Sequence, residues 1–174
     1  MGAHNVPVVV VTGTIGAGKT TIAEQASEIM HARGIRHGLL EADWLQGVYP
    51  APEDDPFNTR FVMKNITQFW RNYLDEGITK AIVTMTLETI EERDALLAAL
   101  GHPPVTIARL EASLKVCEKR IRAREFGYLR EPFLKKTGWL AEEMRRLDIG
   151  DIVLTNEEEP RRVATRLLEE LGWI

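Results

Sequence analysis

Residues 13–20 read Gly-Thr-Ile-Gly-Ala-Gly-Lys-Thr, and this octapeptide constrains the chain more than any other feature. It stands between an apolar, β-branched run, Val6 to Thr12, and a stretch to Arg33 that sets Ile22, Ala23, Ala26, Ile29 and Met30 at helical spacing, with Gly34 as a stop. Strand, glycine-rich turn and helix in that order form the context of a phosphate-binding loop. Gly13, Gly16 and Gly18 let the backbone turn so that the N–H groups of the loop, with Thr14, Ile15 and Ala17 between the glycines, face a phosphate in front of the helix N-terminus. Lys19 would reach the β- and γ-phosphates, Thr20 would give its hydroxyl to Mg²⁺, and Thr21 is a weaker phosphate contact. A glycine turn that holds no ligand is the competing reading, and the strand before it and the helix after it argue against that.

The rest of the chain repeats the alternation. Arg36 to Ala42, Ile78 to Met85, Val105 to Leu110 and Asp151 to Leu154 read as strands, and Thr59 to Tyr73, Glu91 to Leu100, Ala112 to Arg124 and Pro160 to Leu171 as helices. Glu125 to Gly138 reads as irregular. Strands alternating with helices imply an α/β fold with a parallel sheet covered on both faces and ligands at the carboxyl ends of the strands. The 174 residues show no internal repeat, linker or low-complexity tract and are expected to form one domain, residues 1–174. Tyr49 to Pro56, rich in proline and acid, lies inside the alternation and reads as a binding loop.

Composition removes several alternatives. The 22 basic and 26 acidic side chains leave a formal charge of −4, without the positive field that nucleic acid or an anionic membrane requires. No apolar run approaches the roughly 18 residues of a spanning helix. Cys117 is the single cysteine, so no internal disulfide forms, and no leader precedes the first strand; the expected location is cytoplasmic, which makes the Asn65-Ile66-Thr67 triplet incidental. The four histidines lack metal-ligand spacing, and His31 and His37 read as surface residues.

The second strand ends in Glu41-Ala42-Asp43, two carboxylates that point the same way if the strand continues that far. Asp43 is the first choice for a base that takes the proton of an acceptor hydroxyl, with Glu41 and Asp43 also in reach of the metal; the alternative is that Asp43 caps the next helical turn. The third strand ends without an aspartate, and Glu88, the nearest acid, either serves the metal through water or caps the following helix. Arg122 has Glu118 and Glu125 at helical spacing, whereas Arg120 and Arg124 face the same way with no acid so placed, and a phosphate would satisfy both. Ordinary surface charge is the other reading of that pair; Arg130 is a weaker candidate for the same role. Trp44, Tyr49, Phe57, Arg60 and Phe61 follow Asp43. Trp44 is divided evenly between substrate contact and packing, Phe61 reads as core, and Arg60 suits either an anionic acceptor or an ion pair with Asp54 or Asp55. Thr155-Asn156-Glu157 forms a turn against which a nucleotide base could rest.

Phosphate loop, acidic end of the second strand, Arg-x-x-x-Arg helix and final turn, in that order, resemble the small P-loop kinases. The resemblance covers the whole chain, and the nearest group holds adenylylsulfate kinase, gluconate kinase, shikimate kinase and chloramphenicol phosphotransferase. It implies a three-layer P-loop NTPase fold, a five-stranded parallel sheet in the order 2-3-1-4-5, a small helical lid near residues 120–138, and transfer of the ATP γ-phosphate to a small acceptor with Mg²⁺. Carried over by position, Gly18, Lys19 and Thr20 match the nucleotide site, Asp43 the base, Arg120 and Arg124 the lid, and Asn156 the base-binding turn. The third strand lacks the glycine-rich end of shikimate kinases, and no acceptor motif of gluconate or adenylylsulfate kinase is present. The expectation is an ATP-dependent phosphotransferase acting on a small molecule as a monomer or homodimer. A nucleoside or nucleotide kinase, or a nucleotide-binding switch with slow hydrolysis, is the alternative.

Overall fold

The computed structural model describes residues 5–45, 47–55 and 57–174. In chain order the elements are β1 (Val8–Gly13), α1 (Lys19–Ala32), β2 (His37–Glu41), a 3₁₀ turn (Ala42–Leu45), α2 (Thr59–Asp75), β3 (Lys80–Thr84), α3 (Ile90–Ala99), β4 (Val105–Glu111), α4 (Leu114–Arg124), α5 (Arg130–Arg146), β5 (Ile152–Thr155) and α6 (Pro160–Glu170). Pro56, at the end of the acidic loop, lies outside the described residues.

Four consecutive valines make β1 the middle of the sheet, because a strand apolar on both faces is stable only with cover on both. It pairs in parallel with β3, Val8 opposite Ala81, and with β4, Val8 opposite Val105; β2 extends the sheet beyond β3 and β5 beyond β4. The order is β2-β3-β1-β4-β5, the 2-3-1-4-5 arrangement that the resemblance implies. Alternate side chains go to opposite faces. Val8 and Val10 pack with Ile66 and Trp70 of α2, Leu96 of α3 and Leu140 and Met144 of α5, while Val9 and Val11 pack with Ile22, Ile29 and Met30 of α1 and Leu167 and Leu168 of α6. Each such side chain, fully buried, contributes about 1.5–3 kcal/mol of transfer free energy. Parallel pairing brings Gly13, Glu41, Glu111 and Thr155 to one edge of the sheet.

Two expectations need correction. The stretch Glu125 to Gly138 is not irregular: α5 begins at Arg130 and runs to Arg146. Pro132 falls in its first turn, where a missing N–H costs little, and Gly138 faces Leu114 of α4, which a Cβ there would meet at ordinary van der Waals distance. The second strand stops at Glu41, so Glu41 and Asp43 do not share a strand face; Asp43 sits in the 3₁₀ turn. No helix among the described residues is long and apolar enough to cross a membrane.

Candidate functional site

The loop between β1 and α1 is shaped by glycine and held from the far end of the chain. Gly16 has φ +81°, and a Cβ there would lie 2.6 Å from the carbonyl oxygen of Cys117 on α4. Gly18, at φ +96°, caps α1 without a side-chain hydrogen bond, and a Cβ there would strike the Asn156 amide. No acid stands in the first turn of α1, so the helix start is electrostatically open to an anion. Asn156 Nδ2 donates to the carbonyl of Ala17 at 2.7 Å, and the Asn156 backbone N–H donates to Glu111 at 2.7 Å. Buried Asn156 Oδ1 meets no donor among the described residues.

Thr137, from the middle of α5, grips the same loop. Its hydroxyl donates to the Ile15 carbonyl at 2.7 Å, and the Thr14 hydroxyl donates to the Thr137 carbonyl at 2.6 Å. Both threonines are buried. Sequence reasoning missed Thr137, although its spacing with the apolar Leu140 and Met144, three and seven residues on, marks the inner face of a helix.

Lys19 donates to the carbonyls of Gly13, at 3.1 Å, and Thr14, at 3.3 Å. Burial pushes its ammonium below the usual lysine value; the charges of Asp43 and Glu88 oppose that shift, and Arg124 adds to it. Side chains from the 3₁₀ turn, the loop between β3 and α3, and the end of α4 therefore share the electrostatic surroundings of Lys19. Beside it, the Thr20 hydroxyl donates to Glu41 Oε2 at 3.2 Å, and Trp44 Nε1 donates to the same oxygen at 2.9 Å. One hydroxyl and one carboxylate suit Mg²⁺, which is usually bound by one or two protein groups together with phosphate oxygens. The residues present fit the group.

Helical spacing misjudged the arginines. Arg120 donates to the carbonyls of Gly16 (3.3 Å), Ala17 (3.2 Å) and Asn156 (2.9 Å), so its partners are backbone groups far away in sequence. Arg124 pairs with Glu125 at 2.8 Å, an acid just past the helix end. Neither requires a phosphate to be satisfied. Arg60 is held by Asp54 through two hydrogen bonds of 2.8 and 3.0 Å, which is the ion-pair alternative, and Asp55 caps α2 by accepting from the N–H groups of Thr59 and Arg60. Phe61, expected in the core, is exposed. Glu88 does not cap α3, since Thr89 does so by accepting from Glu92; Glu88 instead pairs with Lys136 of α5 at 2.6 Å. Burial raises the Cys117 thiol above its usual value, which keeps it protonated.

A family model described as AAA domain matches residues 8–148. The chain belongs to the AAA domain family. Solved structures share the fold over nearly all of their length. A sugar kinase from Janibacter sp. HTCC2649 is 24% identical with TM-score 0.67, over 96% of this chain and 95% of that one. The tunicamycin resistance protein of Deinococcus radiodurans is 16% identical with TM-score 0.68, over 98% of both chains. The APS kinase of Mycobacterium tuberculosis, solved with AMPPNP and APS, is 18% identical with TM-score 0.65, over 97% of this chain and 98% of that one. At these identities the likeness concerns the α/β P-loop NTPase-like fold alone. A search of curated proteins finds no match.

Proposed function

We propose that this AAA domain family member transfers the γ-phosphate of ATP to a hydroxyl of a small-molecule acceptor. The observation that carries the reading is the placement of Glu41 and Asp43 beside the loop, one accepting the Thr20 hydroxyl and the other acting on Lys19. A loop that only held nucleotide has no need of the second acid. The kinase folds of the sugar kinase and APS kinase structures support it.

In this reading the loop N–H groups and Lys19 bind the β- and γ-phosphates, with Lys19 exchanging the carbonyls of Gly13 and Thr14 for phosphate oxygens. Thr20 and Glu41 would hold Mg²⁺, which would supply positive charge against the phosphoryl group. Asp43 orients the acceptor hydroxyl and takes its proton as the new O–P bond forms and the bond to the ADP oxygen breaks. Arg124 stands where it adds positive charge to the transfer, and Arg120 with Asn156 keeps the loop in shape and borders the base.

The test is release of ADP from Mg-ATP across a panel of sugars, nucleosides, nucleoside monophosphates and hydroxylated antibiotics, with the phosphorylated product identified by mass. Asp43→Asn is expected to lower turnover about 10²- to 10⁴-fold, the range of a general base, while Mg-ATP binding persists. Equal turnover in the variant would remove Asp43 from this role. Acceptor-independent hydrolysis as the sole activity would favour a nucleotide switch.

A further inference from the structure

The stretch after Asp43 exposes aromatic rings that a fold ordinarily buries first. Trp44 is 82% exposed, Tyr49 79% and Phe57 60%. Two of them connect to the phosphate loop, Trp44 through one side chain and Phe57 through two. Trp44 donates to Glu41 Oε2, the oxygen that accepts from Thr20. Phe57 lies under Lys136 Nζ, 4.9 Å from its ring centre, and Lys136 is bonded to Glu88, whose charge acts on Lys19. The rings therefore border the site rather than a remote surface.

The charge around them is negative. Lys136, the cation over Phe57, already bears Glu88, and Arg60, which follows the stretch in sequence, bears Asp54 at 2.8 Å and Asp55 at 3.6 Å. Asp43 and Glu53 add two carboxylates to the same 41–57 stretch, beyond Glu41, which the reading above gives to Mg²⁺. A carboxylate, sulfate or phosphate on an acceptor would enter against like charge, whereas a ring, or an ammonium over a ring face, would meet complementary surface.

We propose that the acceptor is a ring-bearing alcohol without negative charge, its ring against Trp44 and Phe57 and its hydroxyl toward Asp43. This rests on the phosphotransferase reading above. The experiment measures equilibrium binding to the protein with Mg-AMPPNP for two matched sets, phenylalaninol, 2-phenylethanol and 3-phenyllactate, and glucosamine, glucose and glucuronate. The amine and neutral members are expected to bind at least about tenfold more tightly than the acid of each set. Trp44→Ala and Phe57→Ala each weaken them by about tenfold, and Trp44→Phe, which keeps a ring and loses the donor to Glu41, retains binding. Preference for the acids, failure of all six to bind, or unchanged binding in both alanine variants overturns the proposal. Phosphoryl transfer from Mg-ATP is followed with the same compounds. Binding in the expected order without transfer removes the phosphotransferase reading and upholds the recognition site; transfer chiefly to glucuronate or phenyllactate upholds that reading and overturns this one.

Discussion

Lys19 carries the clearest physical signature among the single residues, an ammonium held below its ordinary pKa by burial against its own loop. A phosphate brings negative charge to it and raises the value again, so nucleotide binding takes up a proton between the two values. Affinity is therefore expected to fall as pH rises through the depressed pKa, and calorimetry in buffers of different ionisation enthalpy should register that uptake at alkaline pH, with none in Lys19→Met. The sign for folding is the reverse. The unfolded chain binds more protons at this position, so stability of the nucleotide-free protein gains as pH climbs from the lowered value toward the ordinary lysine pKa of 10.5. The octapeptide was legible because its chemistry is local. The partners of Arg120 were not, since the carbonyls of Gly16 and Ala17 lie more than one hundred residues away and a helical wheel sees only neighbours.

Among the elements, α5 matters most to the site and was the one misread. Gly127, Pro132 and Gly138 gave its sequence the look of a loop, yet Leu140 and Met144 carry core contacts and Thr137 reaches the phosphate loop. Thr137→Val keeps the shape of the side chain and leaves the Ile15 carbonyl without its donor. That costs about 1–3 kcal/mol if the group stays buried, and is expected to raise the dissociation constant of Mg-ATP about five- to tenfold while Thr137→Ser restores it. Titration of both variants with a fluorescent ATP analogue decides this; loss of stability with unchanged nucleotide affinity would leave Thr137 a packing residue. The strands and the other helices were legible for the opposite reason. Their patterns repeat inside single segments, as in the valines of β1 facing the two cores by turns. The end of β2 was missed because a 3₁₀ turn at Ala42 leaves no periodic mark.

For the whole molecule, nucleotide binding and folding are one equilibrium, because the loop that receives phosphate is tied to α4, α5 and the turn after β5. At one hundred times its dissociation constant a ligand adds about 2.7 kcal/mol to stability. For a chain of this size that corresponds to a rise of roughly 5–10 °C in Tm. A thermal melt with Mg-ATP is expected to show this shift and Lys19→Ala to lack it; a shift of equal size in the variant would place the nucleotide elsewhere. The same ties have a consequence for the chain as it is made. The ribosome makes the octapeptide more than one hundred residues before Thr137 and Asn156, which grip the loop. Over that interval the nascent chain carries every residue of the phosphate motif without the contacts that shape it, so competence to hold nucleotide comes only when β5 and the turn after it are in place.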